Sequence, residues 1–230
     1  MALSLHKTVA VANQKGGVAK TTTAVNLAAC LAMAKQDVLL IDLDPQGNAT
    51  MACSLDKHAV EYSACDVLLD EVPMQTAMQY VPECGLTVLA GGPDVTAAEV
   101  GLLALDNRET RLRSALESVK KDFNVIIIDC PPSLNMLTIN ALAAADSVLI
   151  PMQCEYYALE GLSALMNSIA QIRDVLNPEL EIEGILRTMY DPRSRLTQDV
   201  SNDLNEHFGE KLYKTVIPRN IRLAEAPSYG

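Results

Sequence analysis

Residues Val125–Ile128 are four β-branched side chains in a row, followed by Asp129 and then by Pro131-Pro132. β-Branched residues are stiff at χ1 and favour strands, and the prolines block a helical continuation. A run without polar alternation leaves no face for water, so it belongs to a strand covered on both sides. The pattern recurs at Thr8–Ala12, Val38–Ile41, Leu86–Leu89, Ser147–Ile150, Ile182–Leu186 and Tyr213–Ile217. Helical patterns fill the gaps at Thr21–Ala34, Arg108–Val119, Leu134–Ala145, Leu159–Val175 and Leu196–Phe208. Apolar strands separated by helices predict a doubly wound α/β fold, a mostly parallel sheet with helices on both faces. With 230 residues and no repeat, linker or low-complexity tract, the chain is expected to form a single domain over 1–230. Leu55–Cys84 is the least regular stretch and reads as a mobile surface region.

Several function classes are set aside by composition. No apolar run approaches the roughly 20 residues of a membrane span, and the start, Met1 to Lys7, lacks a cleavable signal pattern. A cytoplasmic protein is therefore expected. The six cysteines (Cys30, Cys53, Cys65, Cys84, Cys130, Cys154) show no C-x-x-C spacing, and His6, His58 and His207 stand far apart. That pattern supports neither a disulfide framework nor a zinc site.

The turn after the first strand is where the chemistry starts. Asn13-Gln14-Lys15-Gly16-Gly17-Val18-Ala19-Lys20-Thr21-Thr22 joins a strand to a helix, where backbone N–H groups and a helix N-terminus converge on an anion. Gly16 and Gly17 permit close backbone approach. Lys20 is placed to reach the β- and γ-phosphates, the Thr21 hydroxyl to ligate Mg²⁺, and Thr22 to offer a hydroxyl toward the α-phosphate. The standard G-x-x-x-x-G-K-[ST] pattern is not met, because Gln14 and Ala19 occupy its glycine positions; the variant K-G-G-x-x-K-[ST] is met in full. Two lysines are an excess of charge for one triphosphate in cis, which motivates the expectation that Lys15 reaches a nucleotide on a partner subunit, as an arginine finger does.

Two acidic motifs fall where such a loop needs them. Asp42-Leu43-Asp44-Pro45-Gln46-Gly47 ends the second strand, at the sheet edge where open α/β folds bind ligands. Its carboxylates suit orienting a water or balancing Mg²⁺. Asp129 closes the Val125–Ile128 strand in the Walker B manner and would hold Mg²⁺, since an acid there is costly without a cation or hydrogen bonds. The net charge of −11 argues against nucleic acid at first reading. Its distribution differs: residues 184–230 carry seven Lys/Arg (Arg187, Arg193, Arg195, Lys211, Lys214, Arg219, Arg222) against six Asp/Glu, a net of +1. Local patches decide phosphate contacts, although on charge alone this is an ordinary solvated surface.

On these motifs the chain resembles the ParA/Soj branch of the deviant Walker (P-loop) ATPases. The matching segments are Lys15–Thr21, Asp42–Gly47, Asp129–Pro132, Glu155–Gly161, Thr188–Asp191 and Ile217–Pro227. The resemblance implies an ATPase using ATP and Mg²⁺ that forms an ATP-dependent homodimer, with Lys15 as the signature lysine across the interface. It implies catalytic roles for Lys15, Lys20 and Asp44, with Asp44 positioning the attacking water and serving as a further candidate metal ligand beside Thr21 and Asp129, the last through a water. It implies nucleotide binding by Lys15 through Thr22, with Pro218 and Asn220 near the adenine. Non-specific double-stranded DNA is the implied ligand of Arg193 and Arg222, with Arg219 beside them. A ParB-like centromere-binding protein is the implied stimulator in chromosome or plasmid segregation, in a nucleoid-associated cytoplasmic setting.

Two departures stand out. Ala19 replaces a glycine common in this branch; were positive φ required there, alanine would cost roughly 1 kcal/mol. The variant pattern leaves the position free, so an intact loop is expected. The chain also ends at Gly230 where relatives continue into a helix, which suggests truncation. Among relatives, a cargo-positioning ATPase would use the same chemistry. A MinD-like membrane cycler needs an amphipathic C-terminal helix missing from these residues, and a nitrogenase-type iron–sulfur reductase needs cysteines facing across a dimer axis, which Cys130 does not resemble.

Overall fold

The structure, a computed structural model, describes residues 6–225; residues 226 and 227 of the family-matching segment, and Gly230, lie outside them. Eight strands form one sheet: β1 (Lys7–Val11), β2 (Val38–Asp42), β3 (Met78–Val81), β4 (Leu86–Leu89), β5 (Val125–Asp129), β6 (Ser147–Gln153), β7 (Glu181–Tyr190) and β8 (Leu212–Pro218). Their order is β3-β4-β2-β5-β1-β6-β7-β8. Every neighbouring pair is parallel except β3 with β4, an antiparallel edge. The helices are α1 (Lys20–Met33), α2 (Asn48–Ala52), α3 (Ala64–Leu68), α4 (Met74–Ala77), α5 (Val95–Leu102), α6 (Arg111–Leu116), α7 (Met136–Ala144), α8 (Ala158–Val175), α9 (Arg195–Phe208) and α10 (Ile221–Glu225). Among the described residues no helix is long and apolar enough to cross a membrane.

The unbroken apolar strands are explained by what covers them. Alternate residues point to opposite faces, and each face has its own core. Val9, Val11, Leu40, Ile127 and Leu149 pack with Ala24 and Ala28 of α1. Ala10, Leu39, Ile41, Ile126, Ile128, Val148 and Ile150 pack with α3, α5, α6, α7 and α8. The small buried faces of Ala24 and Ala28, one helical turn apart, let α1 lie close on the sheet. This is the doubly wound arrangement expected, and it leaves neither face of the central strands to water.

The expectation of a mobile surface region over Leu55–Cys84 is corrected. That stretch holds α3, α4 and β3, and its Ala64, Cys65, Val67, Leu68, Met74, Ala77 and Val81 are buried. A capping box closes the start of α3, where Ser63 Oγ accepts from Cys65 N at 3.0 Å and Ser63 N donates to Asp66 Oδ2 at 2.7 Å. These elements are four or five residues long, too short for helical periodicity to register. The same applies to β3, and α5 gave no clear pattern either. The helix expected over Arg108–Val119 is α6 alone, because Asn107 takes a positive φ of 53° and Val119 leads into a 3₁₀ turn.

Gly91 follows β4 and marks the tightest point of the fold near the strand ends. A Cβ there would stand 2.4 Å from the Asp42 carbonyl oxygen. Its N–H donates to Thr50 Oγ1 at 2.8 Å, and that hydroxyl in turn donates to Asp42 Oδ2 at 2.8 Å. Gly91→Ala is expected to cost about 3 kcal/mol, as overpacking against rigid backbone does. Urea unfolding should show a lower midpoint with an unchanged slope.

Candidate functional site

The site grows from the register of the three central strands. In the pairing of β1 with β5 and β2 with β5, Val11 and Asp42 both stand opposite Asp129. The loop after β1 and two carboxylates therefore emerge side by side at the C-terminal edge of the sheet. β1 lies between β5 and β6, where the chain crosses from one half of the sheet to the other, the switch point at which such folds bind ligands.

The loop is held at both ends. Asn13 Nδ2 donates to Pro151 O at 2.8 Å and Asn13 Oδ1 accepts from Lys15 N at 3.0 Å, which ties the loop's first residues to β6. The buried Thr188 hydroxyl on β7 donates to Val18 O at 3.0 Å, fixing the middle. Gly17 turns the chain with a φ of 73°, a conformation glycine adopts without steric cost. Ala19 then takes φ 65° and ψ 37° as the residue capping α1. The expectation that this position is conformationally free is corrected: the loop is intact, but it demands a left-handed residue and alanine carries the strain. α1 has no side-chain cap and no acid in its first turn, so its N–H donors stay available to an anion.

Lys20 and Lys15 face opposite ways. Lys20 is buried, its Nζ donating to Lys15 O at 3.3 Å. Burial pulls its pKa down while Asp129 and Asp44 push it back up. Lys15 lies on the outside of the loop, about half exposed, in an ion pair with Glu155. Thr21 and Thr22 sit half-buried in the first turn of α1.

The three acids differ sharply. Asp42 is fully buried and fully occupied: Oδ2 accepts from Thr50 N and Thr50 Oγ1, both at 2.8 Å, and Oδ1 from Asp44 N at 3.1 Å. Burial still pushes it up to about 6. It is a scaffold for the Asp44 turn. Asp44 is buried, and its Oδ1 accepts from Gln46 N at 3.0 Å, while Oδ2 has no donor among the described residues. Asp129 is fully buried, and among the described residues neither carboxylate oxygen has a close hydrogen-bond partner, the Thr21 hydroxyl being near enough only to ease its charge. Burial, reinforced by the Asp42 charge, holds it well above the ordinary carboxylate range. A buried carboxylate without a close donor, beside a lysine and a helix-terminal threonine, fits the Mg²⁺ expected from the sequence, which Thr21 and Asp129 would hold.

The remaining predicted residues gather elsewhere on the same edge. Pro218 ends β8, paired with Tyr190 of β7. Asn220 Oδ1 accepts from Arg222 N at 2.9 Å and so starts α10, and Arg219 N donates to Tyr190 O at 3.3 Å. Arg193 is 89% exposed, yet Asp191 grips it with two bonds of 3.0 Å to Nε and Nη2. Arg193, with Arg219 contributing, holds the Asp191 carboxyl below its ordinary value. Arg187, by contrast, is structural: it donates to Ser201 Oγ at 2.7 Å and Tyr213 O at 2.8 Å. β8 lies three strands from β1, so this basic group stands about 14 Å from the loop at the usual strand spacing. Cys130 is buried within the sheet and burial raises its thiol, unlike a cluster ligand facing a partner. Asn13, Thr188 and Asp191 fall in segments the sequence singles out but without a role of their own, and Thr50 carries no signal, because single polar residues beside apolar strands make no periodic pattern.

Comparison with known proteins agrees with this fold. A family model described as an AAA domain matches residues 6–182. The sporulation initiation inhibitor protein Soj of Bacillus subtilis is 51% identical over 98% of this chain and 89% of its own length. The chromosome partitioning protein ParA of Myxococcus xanthus is 48% identical over 99% of this chain and 80% of its own. Among solved structures, cobyrinic acid a,c-diamide synthase of Mycobacterium smegmatis with bound ATP analogue and magnesium superposes with a TM-score of 0.87 at 38% identity, covering 97% of this chain and 92% of that one.

Two substitutions test the site as built. Ala19→Gly is expected to stabilise the protein by about 1 kcal/mol by relieving the left-handed strain, raising Tm by about 2–4 °C for a chain this size. Asp129→Asn removes an unpartnered buried acid, so the nucleotide-free protein should gain about 1–2 kcal/mol. The same variant should lose the further rise in Tm that ATP with Mg²⁺ gives the wild type; melts with and without both ligands read the two opposite effects.

Proposed function

The chain belongs to the ParA/Soj family of P-loop ATPases, and from that premise we propose that it is a single-domain partitioning ATPase whose ATP-bound homodimer binds DNA. The observation that carries this reading is the opposed setting of the two loop lysines: Lys20 is buried beside Asp44 and Asp129, while Lys15 stands on the outer surface. One lysine serves the nucleotide in its own subunit. The other stands where it could serve a second copy.

In this reading the α1 N-terminus, residues 15–22 and Lys20 cradle the phosphates, with Pro218 and Asn220 toward the adenine. Thr21, Asp129 through a water and, as a further candidate, Asp44 would hold Mg²⁺, which when bound would neutralise phosphate charge and favour attack at the γ-phosphate. The open oxygen of Asp44 orients the attacking water. Lys15 stabilises the phosphates of the facing subunit, so the nucleotide is part of the interface. Beside the loop, Leu134, Tyr156 and Tyr157 are exposed, the tyrosines at 76% and 72%. Exposed apolar groups at that edge suit contact with a second copy.

Pairing would bring two sets of Arg193, Arg219 and Arg222 together against double-stranded DNA phosphates without sequence preference. Such binding releases counterions and weakens steeply with salt. ATP acts through its different affinity for the monomeric and paired states. Slow hydrolysis, stimulated by a ParB-like centromere-binding partner, returns the protein to monomers, in the segregation of a chromosome or plasmid in the nucleoid-containing cytoplasm.

The test is DNA binding with ATP, with ADP and without nucleotide over a salt series. Tight, salt-sensitive binding is expected with ATP alone, and equal binding in all three states would overturn the reading. Arg222→Ala should bind ATP as the wild type does, lose about tenfold or more in DNA affinity, and lower the salt slope by about two per dimer.

A further inference from the structure

Both lysines of the phosphate loop are occupied within the subunit. Lys20 Nζ donates to Lys15 O at 3.3 Å, and the Lys15 ammonium is paired with the Glu155 carboxylate. We infer that Glu155 is a positioning residue that holds Lys15 back in the nucleotide-free monomer and thereby sets the nucleotide concentration at which two copies pair. The inference rests on the reading that Lys15 acts across the dimer, and it assigns that lysine's resting partner.

The pair is built at both ends. Asn13 fixes the backbone of Lys15 and is itself bonded to the end of β6 through Pro151 O. Glu155 follows β6 by two residues in a tight turn: its N–H donates to Gln153 O at 3.0 Å and its carbonyl accepts from Ala158 N at 2.9 Å. The two side chains thus leave a common scaffold and meet over it. The residues after Glu155 are the exposed Tyr156 and Tyr157, packed edge to face with centroids 5.0 Å apart at 88°. Glu155 lies between the loop and the apolar patch that would meet the second copy.

A carboxylate in its own subunit competes with a phosphate in another for this one ammonium, so pairing has to be won against this contact. An incoming triphosphate would begin the exchange by taking Lys20 from the Lys15 carbonyl, loosening the residue that carries the second ammonium. The side chains are 48% and 43% exposed. A half-exposed ion pair shifts an equilibrium by about 2- to 5-fold, so the contact is a threshold device, not a lock.

Sedimentation velocity against a titrated non-hydrolysable ATP analogue with Mg²⁺ tests it in the full chain, comparing wild type, Glu155→Gln and Lys15→Gln. Glu155→Gln is expected to reach half-dimer at an analogue concentration about 2- to 5-fold lower than wild type. Its Tm should fall by no more than about 2–4 °C, and its affinity for ADP as a monomer should not change. The gap from wild type should close at high salt, as a screened ion pair requires, which a merely structural role for Glu155 would not produce. Lys15→Gln should fail to pair. If Lys15→Gln pairs like wild type, the cross-subunit reading itself falls. If Lys15→Gln is defective while Glu155→Gln has an unchanged or higher threshold, that reading stands and the positioning role of Glu155 is overturned.

Discussion

Two carboxylates end side by side on neighbouring strands, both fully buried, and much of the active edge is an answer to that. Asp42 and Asp129 are register partners across β2 and β5. The fold resolves the repulsion by treating them differently. Asp42 is supplied with three donors from Thr50 and Asp44, which also shape the turn carrying Asp44. Asp129 has no close donor among the described residues. Leaving a buried acid unpartnered is destabilising unless a cation arrives, so the stability the protein forgoes is recovered when the site fills. Lys20, buried beside it with its pKa drawn down by desolvation, is the other half of this arrangement.

The fold was legible because it depends on long, uninterrupted patterns. The strands of Val125–Asp129 and Val38–Asp42 have no polar residue until their final acid, and that polarity break marks the edge where ligands gather. Elements of four or five residues, α3, α4 and β3, escaped because they are held by a capping box at α3, by pairing of β3 with β4 and by burial, not by periodicity. The candidate site was legible where a residue type carries its own chemistry, as in Lys15, Lys20, Thr21, Asp44 and Asp129. What sequence did not disclose is which acid is satisfied. Asp42 and Asp129 look alike at the ends of apolar strands, and the distinction rests on a threonine eight residues further along the chain.

Ala19 shows how a motif and a conformation can part company. The pattern tolerates several residue types there, yet the backbone has one solution, left-handed, with α1 beginning at once behind it. Thr23 reinforces that solution, with its N–H and hydroxyl donating to Ala19 O at 2.9 Å and 2.7 Å. Strain at a functional loop persists when the surroundings over-determine the geometry, and here the tie from Thr188 to Val18 and the first turn of α1 do so from both sides.

That tie has a mechanical meaning as well. Thr188 is buried on β7, and the same strand runs on to Tyr190, whose carbonyl accepts from Arg219, and to Asp191, which grips Arg193. The phosphate loop and the arginine cluster are therefore hinged on one short stretch of backbone. A loop that shifted at Val18 without β7 would leave a buried hydroxyl unbonded, costing about 1–3 kcal/mol. Stiffness of this kind makes the strand a short rigid link along one edge of the sheet, so a displacement of the loop would be carried to the arginine cluster without any intervening domain motion.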